Sequence, residues 1–87
     1  MADLMHPDGR VTTHVPKNPP EWTLPELQFL VGGYIEQATD AAGRRVNAFC
    51  DEDGLAKELK VNAKASTTIG RGYVGPVLFI SDDERIQ

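Results

Sequence analysis

The segment Gly70-Arg71-Gly72-Tyr73-Val74-Gly75 carries the G-x-G-x-x-G spacing of a dinucleotide-binding loop. In such a loop the glycines follow a strand and open a helix, because the helix N-terminus supplies the amides and the dipole that hold a pyrophosphate. Here the order is wrong. Thr67-Thr68-Ile69 ahead of the motif makes at best a marginal strand, and the run Pro76-Val77-Leu78-Phe79-Ile80 behind it is β-branched and aromatic, unsuited to a helix. A chain of 87 residues is also far too short for the complete dinucleotide-binding architecture. The glycines therefore read as a flexible approach to a closing strand, with Pro76 tolerated at its first position.

A narrower chemistry survives. Arg71 and Tyr73 alternate with the glycines, and an exposed guanidinium beside an aromatic ring can grip a phosphate and stack on a base without a helix. If the chain is a binding module, Arg71 and Tyr73 share a groove with Tyr34, Glu36 and Asn62. An inward-facing Glu36 near Arg44 or Arg45 would make a buried pair or a site. An enzyme would need a pocket in which Glu36 or Asp51 meets a second titrating group. No Ser or Cys nucleophile lies beside a base in a recognisable setting, so the expectation is a non-enzymatic protein with no catalytic residue. Asp51-Glu52-Asp53-Gly54 resembles the start of a calcium loop, but Leu55 occupies the fifth ligand position. His6 and His14 flank one hairpin, and two imidazoles without further ligands make a poor metal site. No metal or cofactor is expected.

The elements that must position these residues can be read from turn and cap chemistry. Ala2 to Leu4 and Val11 to Val15 form a hairpin around His6-Pro7-Asp8-Gly9-Arg10, where Pro presets a turn and Gly takes the positive φ. Pro16-Lys17-Asn18-Pro19-Pro20 has three prolines and reads as a linker. Thr23-Leu24-Pro25-Glu26 is a capping box, predicting a short helix that ends at Gly32-Gly33 and buries Leu24, Leu27, Leu30 and Val31. Residues 34–39 and 44–50 form a second hairpin about Asp40-Ala41-Ala42-Gly43. Leu55 to Leu59 and Asn62 to Thr68 could each make a helical turn. Val74 to Ile80 is a central strand, apolar on both faces, followed by an acidic tail, residues 81–87, expected to fray.

This order predicts one α+β domain over residues 1–80: a small antiparallel sheet of about five strands, one capped helix on one face, and one or two short helical turns. A sheet covered on one face leaves apolar surface and open edges, so a homodimer is expected. Net charge −4 argues against nonspecific nucleic-acid binding, which scales with clustered Lys and Arg. The single cysteine, Cys50, excludes an internal disulfide and reads as a small half-buried core side chain. No apolar stretch approaches the roughly 20 residues of a membrane span, and the start is unlike a signal peptide. The expected setting is the cytoplasm, that of the host cell if the protein is phage-encoded.

Leu27-Gln28 with Val31-Gly32-Gly33-Tyr34-Ile35-Glu36, then Asp51-Glu52-Asp53-Gly54-Leu55, Val61-Asn62 with Ala65, and Gly75-Pro76-Val77 together resemble domain-of-unknown-function family 3846, small proteins of bacteriophages, mobile elements and actinobacteria. The resemblance spans about Met1 to Ile80, and the VGGYIE block is its most specific part. Phe49-Cys50-Asp51 departs from the family, which more often has Asn ahead of the acidic pair. The resemblance implies a compact α+β domain in a phage or mobile-element context and no established activity. The resulting expectation is an accessory domain that works by binding, either to a host protein or to a small nucleotide whose sequestration would counter host defence signalling.

Overall fold

A computed structural model describes residues 1–87. Strands β1 (Ala2–Met5) and β2 (Val11–His14) form the first hairpin, and β4 (Ile35–Thr39) with β5 (Arg45–Asp51) the second. The late strand β6 (Val77–Ile80) inserts between them, antiparallel to both β1 and β5, giving a five-stranded sheet of order β2-β1-β6-β5-β4. Its central position explains the unbroken apolar run: alternate residues feed opposite faces, and Val77 and Leu78 are both fully buried.

Helix α1 (Leu24–Val31) begins where the capping box predicts. The Thr23 hydroxyl accepts the Glu26 amide at 3.4 Å, and the Glu26 carboxylate accepts the Thr23 amide at 3.1 Å. Gly32, at φ +97°, closes the helix. The buried stripe is Leu27 and Val31, supported by Leu30, and it packs with Ala2, Leu4, Trp22, Phe49, Leu78 and Ile80 on one sheet face. Leu24 does not join it. Sitting in the first turn ahead of the stripe, it is about half exposed, and Phe29 on the outer side is 85% exposed.

The second face is covered as well. Helix α2 (Ala63–Ile69), in the segment where the sequence allows a helical turn over Asn62 to Thr68, lays Ala65 and Ile69 against Ala38, Ala48, Cys50 and Val77. Ala38, Ala48 and Ala65 are small enough to let helix and sheet approach closely, and each is at most 1% exposed. The uncovered apolar face that motivated an expected homodimer is therefore absent over this part of the sheet. Thr67 to Ile69 are helical, not strand. The segment Leu55 to Leu59 forms a run of turns rather than a helix.

Residues near the C-terminus are also placed differently. Strand β7 (Arg85–Ile86) pairs in parallel with β3 (Glu21–Trp22), a strand the proline-rich approach to α1 had concealed. Glu84 accepts the Trp22 indole N–H at 3.1 Å and the Met1 amine at 2.6 Å. These contacts hold the acidic tail that composition alone would leave frayed.

Asn62 joins the layers. Completely buried, it caps α2 by accepting the Ala65 amide at 3.1 Å, while its amide nitrogen donates to Met5 O and Gly75 O, both at 2.9 Å. Every polar atom of the side chain is satisfied. Asn62→Ala would strand two buried carbonyls and one amide, at a cost of about 2–4 kcal/mol, read as a lower urea midpoint at unchanged m-value. Asn62→Asp keeps the cap acceptor but cannot donate to either carbonyl, and should be no less damaging.

Candidate functional site

The chain reverses through G-R-G-Y-V-G between α2 and β6, so the motif runs from helix to strand, the opposite of a nucleotide loop. Gly70 ends α2, and Gly75 is required twice over: φ is +73°, and a Cβ there would lie 2.6 Å from Leu59 Cδ1. The motif is thus a splice that turns the chain from one sheet face into the sheet's centre.

Tyr73 is fixed by both ends. Its amide donates to Ser66 Oγ at 2.8 Å. Its hydroxyl accepts the Thr39 amide at 2.7 Å and donates to the Thr39 carbonyl at 2.8 Å. Thr39 lies on β4, an edge strand, beside an irregularity that shifts the β4–β5 register between Gln37 and Thr39. The phenol therefore satisfies backbone groups at the end of an open edge. Arg71 is exposed, and its guanidinium donates to Thr39 Oγ1.

Arg71, Gly72 and Tyr73 line one wall of an open groove of about 370 Å³, with Glu36, Gln37 and Thr39 of β4 opposite and Leu55 at its lip. An adjoining cleft of about 100 Å³ runs on between Glu36, Asp51, Glu52 and Val74. Of the five residues expected to meet, the structure brings together Arg71, Tyr73 and Glu36. Tyr34 lines a separate depression with Gln28, Gly33, Asp53 and Lys57. Asn62 is buried in the joint beneath α2 and faces no groove. Leu55, 82% exposed, is a groove residue that the sequence does not mark as a contact, its place after the acidic turn pointing only to a broken calcium loop and the start of a helical turn.

The groove carries mixed charge. Glu36 shares the groove with Arg71 while Glu52 lines the adjoining cleft, and neither Arg44 nor Arg45 pairs with Glu36: Arg44 bonds Asp40 at 3.1 Å across the hairpin turn. The Asp51 carboxylate belongs to the framework. It accepts the Asp53 amide at 2.8 Å and the Lys57 ammonium at 2.7 Å, with its side chain 1% exposed. Burial alone would raise its pKa, but the Lys57 ammonium and the Asp53 amide together hold it below the usual carboxylate range. Gly33 permits this pair, since a Cβ there would lie 2.6 Å from Lys57 Nζ. The acidic turn thus uses its charge to close a loop.

Cys50 lies behind the groove floor, 3% exposed, its thiol 3.8 Å from Glu36 O. Burial, with the Glu36 and Asp51 charges beside it, pushes the thiol up to about 11. On the first hairpin, His6 and His14 do approach each other: both Nε2 atoms bond Thr12 Oγ1, at 3.2 and 2.8 Å.

Two measurements check this electrostatic reading. Cys50 should resist a thiol reagent at pH 8 in the native protein and react fully on unfolding; rapid native labelling would contradict its burial. Asp51→Asn should destabilise by about 1–2 kcal/mol at neutral pH, an effect tempered by the solvated end of Lys57. Because the folded-state pKa is depressed, the stabilisation is present above the unfolded value near 3.8 and is lost as pH falls further. The gap between native protein and variant should therefore close below about pH 4.

No curated protein matches the chain, and no solved structure matches it. The family model described as Domain of unknown function (DUF3846) matches residues 5–86, nearly the whole chain and every element described above except the first residues of β1. The chain belongs to that family.

Proposed function

We propose that this protein is a non-enzymatic accessory domain that acts by binding a partner protein in the groove between the β4 edge and the Arg71–Tyr73 loop. The observation that carries this reading is the convergence of Arg71, Glu36 and the highly exposed Leu55 on one open groove with a rigid wall. One cation, one carboxylate and an apolar side chain on a preformed surface suit the mixed chemistry of a peptide segment, with Leu55 as anchor and Arg71 as orienting charge. Catalysis is disfavoured because Asp51 is committed to Lys57 and the only thiol is buried with a raised pKa. The phage or mobile-element setting, a host protein as partner, action as a homodimer and a cytoplasmic location complete the proposal, and rest on the family resemblance and composition. No helix is long and apolar enough to cross a membrane.

A small-nucleotide ligand is the second reading, supported by Arg71 beside Tyr73. It is weakened because the Tyr73 hydroxyl is already engaged and the Glu36 carboxylate shares the groove with the guanidinium.

Cross-linking capture with Leu55→Glu and Arg71→Glu, against the distant control Lys64→Glu, tests the groove. The expected result is a protein retained by the native chain and the control and lost by both groove variants; equal capture by all four removes the groove. Thermal shift with mono-, di- and cyclic nucleotides decides the alternative, since a saturating ligand raises the melting temperature by mass action.

A further inference from the structure

The two edges of the main sheet differ. At β4 the Tyr73 hydroxyl occupies the Thr39 amide and carbonyl, and the register shift twists the edge away from ideal pairing. The β2 edge carries no such device. In the β1–β2 ladder the backbone bond from His6 N to Arg10 O, with registers Leu4–Thr12 and Ala2–His14, makes the even positions of β2 the ones that bond β1. The N–H and C=O groups of Val11, Thr13 and Val15 therefore point outward, and β2 is the terminal strand. Its outward positions hold neutral, β-forming side chains, with Val11 40% and Val15 67% exposed. Neither a proline nor a lysine guards the strand between Val11 and Val15.

We propose that a second copy of this chain pairs antiparallel along β2, with Thr13 on the two-fold axis, joining the two sheets into one of ten strands. The register follows from the outward groups: Thr13 meets Thr13 of the partner subunit, and Val11 meets the partner's Val15, so both exposed valines are covered by the same operation. A closed two-fold interface needs such self-complementarity. Charge permits it. The chain carries net charge −4, yet no carboxylate occurs from Gly9 to Pro20, so two acidic molecules can meet here without facing their carboxylates. Two carboxylates stand near this edge: Asp3 on β1 accepts the Thr13 hydroxyl at 3.1 Å, and Glu26 accepts the Lys17 amide at 3.0 Å. The two Asp3 side chains would lie three strand spacings apart, about 14 Å, beyond the screening length of about 8 Å at physiological salt. Beside the edge, Val15, Pro25, Phe29 and Leu30, with Lys17 and Glu26 at their side, line a groove of about 340 Å³, and pairing brings this groove to the margin of the interface. This proposal gives the homodimer reading a surface. It stands apart from the partner groove on the opposite edge, and each can fail without the other.

The test begins with light scattering of the native chain across the micromolar to millimolar range. The expected species has twice the 9.5 kDa chain mass, and a monomer throughout overturns the proposal. Thr13→Pro removes an outward amide while sparing the β1 ladder, and Val15→Lys sets a solvated ammonium against the partner's Val11 in place of an apolar contact. Each should be monomeric with unchanged circular dichroism, and a folded variant of either kind that stays dimeric shows association through another surface and overturns this one. Cysteine variants fix the register. Thr13→Cys should form a covalent dimer under mild oxidation, because a directly opposed pair lies about 5.5 Å apart between Cα atoms. Val11→Cys should not, because four residues of offset separate the two thiols by about 13 Å along the strand. Equal cross-linking of both variants overturns the two-fold at Thr13. An edge occupied by some other protein, with the purified chain monomeric, overturns it too.

Discussion

A buried asparagine amide holds three layers of this small domain in register. Asn62 donates to the end of β1 and to the chain just before β6, and accepts from the first turn of α2. Its own amide donates to Tyr73 O at 2.9 Å, so the same residue anchors the loop that carries Tyr73 to the β4 edge. An apolar side chain of similar volume would leave those backbone groups without partners in a place water cannot reach, and a charged one would face two carbonyls. The position of α2, the path of the glycine-rich loop and the start of the central strand all depend on this one donor and acceptor set.

From that joint the architecture follows with few further constraints. Two hairpins are local structures, each closed by its own turn; β6 converts them into one sheet by pairing with both. Such a strand must be apolar on both faces and must arrive from the correct side, and the reversal at Gly75 against Leu59 sets that approach. The same loop then places Arg71 and Tyr73 along the neighbouring edge. The tyrosine blocks that edge, the arginine lies exposed beside it with its guanidinium on Thr39 Oγ1, and the groove between them and Glu36 is a consequence of how the last strand is delivered.

Local chemistry made much of the fold legible. The Thr23 capping box, the Gly32 stop and the two hairpin turns each rest on neighbours a few residues apart, and each stands where those neighbours place it. The extent of the second helix was harder to read, since its buried stripe is only Ala65 and Ile69, too small to give a helical pattern; its contact is made by three alanines meeting across a sheet face. Strands β3 and β7 have two residues each and no pattern of their own. They exist because Trp22 is buried and Glu84 meets its indole nitrogen, a contact between residues 62 positions apart.

The candidate site divides in the same way. Residue types alone pointed to Arg71, Tyr73 and Glu36 as capable of recognition, and ruled out a nucleotide loop by the order of neighbouring elements. They could not separate Asn62, whose polar side chain serves the interior, from a surface ligand, nor show that Leu55 stands at a groove lip. Those roles depend on which distant segments pack together. Sequence by itself determined the caps, turns, hairpins and the central strand, because these are decided by steric and hydrogen-bonding preferences within a few residues. Tertiary structure alone decided which polar groups are spent holding layers together and which are left facing a partner, because burial is a property of the assembled layers and not of any residue.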